Sequence, residues 1–205
     1  MIVCCCLWIG WCVLHSLLIT PGVVEFLENL WPVLPRYYRL AYNLVSLLTL
    51  VMLATYTRID PGPVVFAWNG VLSIFRWLMM VAAILLFYGG AIQYDLHYFF
   101  GLRQLKTGKS HLLMNGGGEF HQTGVFALTR HPWYLGCLLA IWSFLPEYHA
   151  KSFGAAVILF LYIPVGAILE ERKIMKLYEQ SYGRYRKRVS MLIPLKWLVK
   201  KIGHW

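Results

Sequence analysis

Thr123-Gly124-Val125-Phe126-Ala127-Leu128-Thr129-Arg130-His131-Pro132-Trp133-Tyr134 sets an arginine, a histidine and a proline directly ahead of an apolar run. Proline suits the first position of a helix, where its missing N–H is not needed. A second polar stretch runs from Leu169-Glu170-Glu171 through Tyr178, Tyr182-Gly183 and Tyr185 to Ile193-Pro194. Two apolar segments of membrane-crossing character lie between the two stretches. A hairpin through a membrane returns Glu170 to the side on which Arg130 and His131 begin. That combination of acids, bases and apolar surface reads as the active site of a membrane enzyme.

Outward from this pair, the composition fixes the class. The 205 residues are 59% hydrophobic and 14% charged, with a mean hydropathy of +0.58. Soluble domains carry about 25% charged residues. We therefore expect an all-α integral membrane protein, one domain over residues 1–205, with about five transmembrane helices. The spans are placed at about 1–19, 40–56, 71–92, 132–145 and 152–169. The first is read as a retained span, since no positive segment precedes it and no small-residue cleavage site follows. Asp60-Pro61-Gly62-Pro63 reads as a turn. The fourth span is short, which sinks Arg130 and His131 below the membrane surface.

The net charge of +10 speaks of membrane orientation before nucleic acid. With five spans, sixteen of the 19 lysines and arginines fall on one side. Positive loops stay inside, so the C-terminus is expected in the cytoplasm and the N-terminus outside. The five cysteines form no CxxC pair and lack metal-ligand spacing. They read as small apolar helix residues, and no metal is expected.

Two readings stay open for Arg130-His131-Pro132-Trp133-Tyr134. It is either an interfacial helix start, with basic residues at headgroups and an aromatic belt, or an anion site at a helix N-terminus. Two acids at the end of a helix would oppose its dipole, so the helix carrying Glu170 and Glu171 is expected to continue to about Arg188. At 100° per residue it places Glu171, Met175, Tyr178, Tyr182 and Tyr185 on one face. That stripe suits packing against the bundle or an acidic, aromatic wall for a cation. His15 reads as a hydrogen-bonded core residue, and Asn43 and Ser46 as interhelical hydrogen bonds. Asp95 and His97 suit a substrate or interfacial solvation equally; His121 suits either role.

Arg130-His131-Pro132-x-Tyr134, followed by Glu170-Glu171, Tyr182, Tyr185 and Pro194, resembles the membrane-integral isoprenylcysteine carboxyl methyltransferase superfamily. The likeness is strongest to its NnrU-like and methanethiol S-methyltransferase branch, and it is specific over about 119–194. It implies a bacterial inner-membrane enzyme with S-adenosylmethionine as methyl donor. It also implies a pocket formed by the last two spans and completed by a cytoplasmic C-terminal helical tail. The residues it assigns to the cofactor are Gly124, Val125, Phe126, Arg130, His131, Pro132, Tyr134, Glu170, Glu171, Tyr182 and Tyr185. Glu170 and Arg130 are the expected catalytic pair, with Asp95, Arg103 and His121 toward the substrate. Phe126 stands where prenylcysteine enzymes have Tyr, and Gly166 where they carry an Arg associated with substrate. The expected partners are the lipid bilayer and a small or lipophilic methyl acceptor, and no nucleic acid. A small thiol is the expected acceptor. The alternatives are a prenylcysteine carboxylate, a phospholipid amine, or an NADPH-dependent reductase of sterol-reductase type.

Overall fold

A computed structural model describes residues 1–31, 33–107 and 122–203. The architecture is helical, with one small departure from an all-α chain: a two-stranded sheet pairs β1 (Val64–Ala67) with β2 (Glu147–His149). Among the described residues three helices are long and apolar enough to cross a membrane: α3 (Leu34–Arg58), α4 (Leu72–Ala91) and α8 (Ala150–Leu177). A fourth crossing arises if α1 (Ile2–Leu18) and α2 (Pro21–Leu30) are one span, broken by a bend of 66° at Thr20-Pro21. The proline at the start of α2 lacks the N–H that a continuous helix would need.

The expected fourth span is α7 (Pro132–Ser143), with 12 residues. That is roughly 18 Å of helix, against a bilayer core of about 30 Å. The α3 helix is longer than the expected 40–56 at both ends. Pro35 sits within its first turn, where a proline is favoured.

The described residues fall into two compact units. The first is made of residues 1–66, 94–107 and 147–158. Here α1 and α3 are joined by indole–hydroxyl bonds, Trp8 Nε1 to Thr57 Oγ1 and Trp11 Nε1 to Thr49 Oγ1, each 3.0 Å. His15 is bonded to the Tyr42 hydroxyl and stacks on Trp11 at 4.8 Å, as a core histidine should. Asn43 Nδ2 donates to the Phe99 carbonyl of the short helix α5 (Leu96–Phe99) at 2.9 Å. Such bonds satisfy polar groups that hydrocarbon cannot. The Asp60–Pro63 turn is present, with Asp60 and Gly62 both at positive φ. The small helix α6 (Leu102–Thr107) follows α5 directly.

The second unit is made of residues 67–93, 122–146 and 159–203. Within it α4 and α7 run antiparallel. Trp68 N donates to the Pro146 carbonyl at one end, and Trp133 Nε1 donates to the Phe87 carbonyl at the other, 2.9 and 3.0 Å. Gly90 lets the two helices approach, because a Cβ there would collide with the Trp133 indole. A Cβ on Gly136 would press on Phe87 in the same interface, and one on Gly89 would collide with Val125 in the turn that precedes α7. Small residues at a helix crossing serve this purpose in membranes.

The helix expected to run on to Arg188 is broken. α8 ends at Leu177, Tyr178 adopts φ −130° and ψ 36°, and α9 spans Glu179–Arg188. A straight helix would hold Glu171 and Tyr182 about 16 Å apart along its axis. The break turns α9 back, and the Tyr182 hydroxyl reaches Glu171 Oε1 at 3.1 Å. The last helix, α10 (Leu195–Ile202), follows Pro194.

Candidate active site

Backbone pairing builds the site first. Thr129 and Ser190 form a parallel bridge. Arg130 N donates to the Ser190 carbonyl at 2.9 Å, and His131 N to the Met191 carbonyl at 3.2 Å. The Thr129 hydroxyl, fully buried, donates to the same Met191 carbonyl at 2.8 Å. The segment after α9 is thus zipped along the segment before α7. Pro132 then starts α7, with His131 as the flanking residue.

The side chains of Arg130 and Glu171 meet inside this frame, 6% and 7% exposed. Arg130 Nε and Nη2 both lie 2.6 Å from Glu171 Oε1. Arg130 Nη1 donates to the carbonyls of Val189 and Arg186. Arg186 Nε stands 3.3 Å from the other oxygen, Glu171 Oε2. Burial of two charges costs several kcal/mol each unless the partners are good. Here the guanidinium and the carboxylate are satisfied by each other, by Tyr182 and by backbone.

Tyr185 completes the frame. Its hydroxyl donates to the Phe126 carbonyl at 2.6 Å, tying α9 to the 3₁₀ turn Gly124–Ala127. Gly124 has φ +57° and packs against the Gln93 side chain, where no Cβ would fit. Burial pushes the phenols of Tyr182 and Tyr185 well above their ordinary range; the Glu171 carboxylate adds to the shift in both. Both tyrosines therefore stay protonated donors.

Among the described residues four buried side-chain atoms lack a hydrogen-bond partner, Gln93 Oε1, Gln104 Oε1, His131 Nε2 and Glu170 Oε2, and the last two belong to side chains that face each other beside the ion pair. His131 is 4% exposed and Glu170 15%, and His131 Nδ1 lies 3.6 Å from Glu170 Oε2. His131 Nε2 stands 3.4 Å from Glu171 Oε1, without hydrogen-bond geometry. Unpartnered buried polar atoms are rare and call for an explanation. Tyr134 stacks edge-on against His131, ring centroids 5.2 Å apart, and its ring lies where a Cβ on Gly166 would point.

Beside the frame is a cleft of about 1010 Å³. Its walls are Leu135, Leu138, Leu139 and Trp142 of α7 with Phe160 and Pro164 of α8. Its other side carries Arg130, Arg186, Lys187 and Lys196, and no acid.

The residues expected at the cofactor lie in the second unit: Gly124, Val125 and Phe126 in the turn, Arg130, His131, Pro132 and Tyr134 at the start of α7, Glu170 and Glu171 on α8, Tyr182 and Tyr185 on α9. Asp95 and Arg103 belong to the first unit, where they pair with each other at 2.7 Å, while Asp95 Oδ1 caps α5 at Tyr98 N. His121 lies outside the described residues. Sequence reasoning missed Thr129 and Arg186. The spacing of Arg186 four residues after Tyr182 could have placed both on one helical face.

The fold and site define an α-helical membrane protein with a buried arginine–glutamate lock and an open histidine–glutamate pair beside it. The chain belongs to the family described as "Protein of unknown function (DUF1295)", which matches residues 25–189. It is similar to methanethiol S-methyltransferase 2 of Bradyrhizobium diazoefficiens, 30% identical over 88% of this chain and 68% of that protein. It also resembles methanethiol S-methyltransferase 1 of the same organism, 41% identical over 34% of this chain. A third relative is the methanethiol S-methyltransferase of Pseudomonas deceptionensis, 34% identical over 38% of this chain. These last two matches span only 24% and 29% of the relatives' own length. The family resemblance read from the motifs is thereby borne out. No solved structure matches the chain.

Proposed function

We propose that the protein is a membrane methyltransferase that uses S-adenosylmethionine and methylates a small thiol. The observation that carries this reading is the orphaned pair, Glu170 Oε2 and His131 Nε2, buried beside a fully satisfied ion pair. A buried carboxylate oxygen without a donor suits the ammonium or hydroxyls of such a cofactor, so the residues fit the group. When bound, S-adenosylmethionine supplies a methyl already activated on a sulfonium. The protein has only to align, desolvate and shield.

Roles then divide. Glu170 accepts N–H or O–H donors, and His131 offers its second ring nitrogen. Tyr134 holds the His131 ring edge-on and limits its rotation. Arg130, Glu171, Tyr182 and Arg186 keep α7, α8 and α9 in register, which makes Arg130 a positioning residue in this account. A thiol acceptor reacts as thiolate. Arg186, Lys187 and Lys196 on the cleft favour the negative sulfur over the neutral thiol. Small-thiol specificity is further supported by the printed names of the relatives and by Tyr134, which occupies the space a side chain at position 166 would need.

A second reading has its own observation. A cleft of about 1010 Å³ with apolar walls and a basic rim is larger than a small thiol requires. It suits a lipophilic acceptor with an anionic head, such as a prenylcysteine carboxylate. A competition assay separates the two: labelled donor is offered to membranes with methanethiol and a farnesylcysteine analogue at matched concentrations. Labelled thioether is expected. Labelled methyl ester without thioether would overturn the small-thiol reading and select the second.

A further inference from the structure

We propose that α10, together with the basic end of α9, is an arm that lies on the anionic headgroup layer of a lipid membrane. The sequence of α10 is Leu-Lys-Trp-Leu-Val-Lys-Lys-Ile, and none of its residues is buried. At 100° per residue, Leu195, Leu198, Val199 and Ile202 share one arc of about 100°. Lys196, Lys200, Lys201 and Trp197 take the opposite side. Val199 and Ile202 are each 70% exposed. A helix of 8 residues does not hold itself together in water. Its apolar face needs a cover that the described protein does not provide.

The charge selects the cover. Arg184, Lys187 and Arg188 are exposed on α9, and no Asp or Glu occurs between Arg184 and Gly203. A nucleic acid would neutralise the lysines but leave four apolar side chains in water. A protein groove without an acidic rim would take the apolar face but leave the charge unrelieved. An anionic bilayer surface meets both demands: the apolar arc sinks into the boundary of headgroup and acyl chain, while lysines reach phosphates. The Lys201 ammonium lies over the Trp197 ring at 4.9 Å, an amphipathic pairing at home in that layer.

The arm is fixed at its root. Lys196 Nζ donates to the carbonyls of Arg186 and Lys187 at 2.8 and 3.2 Å, and Lys196 N donates to Ser190 Oγ at 3.0 Å. Ser190 is also the residue that bridges to Thr129. Docking of α10 would therefore hold the strand-like segment that frames the site, and would keep Lys196 on the cleft. The inference does not depend on what the enzyme methylates.

The test is amide hydrogen exchange of residues 195–202 in the full chain. The protein is placed in nanodiscs of phosphatidylcholine alone or of phosphatidylcholine with phosphatidylglycerol. Exchange is expected to be slower in the anionic discs, and the difference to shrink at high salt. Each lysine near an anionic surface contributes roughly a fivefold effect. Lys200→Gln with Lys201→Gln should therefore speed exchange in anionic discs by about thirtyfold, while Lys200→Arg with Lys201→Arg keeps the protection. Leu198→Ser with Val199→Ser should exchange fast in both membranes. Equal exchange in neutral and anionic discs, or no response to the glutamine pair, would overturn the proposal.

Discussion

Arg130 and Glu171 stand 41 residues apart in sequence, yet two guanidinium nitrogens share one carboxylate oxygen at 2.6 Å in a buried setting. The pair joins the start of α7 to the end of α8, and through Arg186 and Tyr182 it also holds α9. Breaking such a pair strands its partner as a lone buried charge, which costs about 3–5 kcal/mol. Arg130→Gln and Glu171→Gln are each expected to lower the melting temperature in detergent by on the order of 10 °C. The double variant should lose much less than the sum. Additive losses would show that the two side chains act separately.

Glu170 should behave in the opposite way. Its Oε2 is buried without a donor, so neutralising it relieves a penalty. Glu170→Gln is expected to hold or raise the melting temperature while weakening S-adenosylhomocysteine binding at least tenfold. Functional sites often trade stability in this manner. A variant that melts lower and binds normally would assign Glu170 to the scaffold.

The two buried tyrosines predict a response to alkali. Their phenols are pushed up mainly by burial, so the folded state keeps protons that the unfolded state releases above about pH 10. The unfolded state then binds fewer protons, and stability falls as pH rises. Tyr182→Phe and Tyr185→Phe should each flatten that fall in melting curves taken between neutral pH and pH 11. At neutral pH, Tyr182→Phe should cost about 1.5–3 kcal/mol, because its acceptor is charged. Identical alkaline profiles for wild type and both variants would contradict this.

The sheet constrains topology. β1 and β2 pair, so the turn at Asp60–Pro63 and the segment entering α8 share one side of the membrane. The charge of the basic C-terminal region leads us to expect it on the cytoplasmic side. A reporter inserted at Gly62 should therefore read external, and one fused after Trp205 cytoplasmic. Both reporters on one side would remove the orientation.

Long apolar runs were legible because a membrane helix must satisfy its backbone internally and stay apolar throughout. The limits of α1, α4 and α7 fall within two residues of those read from sequence. The break at Tyr178 was not legible, since neither Gly nor Pro marks it. It is imposed by the tertiary bonds of Tyr182 and Arg186 to Glu171. The bend between α1 and α2 was signalled by Thr20-Pro21-Gly22, yet α2 itself was not foreseen. The motif residues of the site were legible, but their pairing was not. Nothing in local spacing says that Arg130 is spent on Glu171, or that Glu170, its neighbour, faces His131 instead. The bridge of Thr129 to Ser190 is a single backbone pairing with no periodic signal.

Isothermal titration of the purified protein in detergent with S-adenosylhomocysteine, and separately with NADPH, tests the central claim most directly. Saturable, one-site binding of S-adenosylhomocysteine is expected, weakened at least tenfold by Glu170→Gln without unfolding the protein, and no binding of NADPH. Binding of NADPH in its place, or of neither ligand by a folded protein, would contradict it.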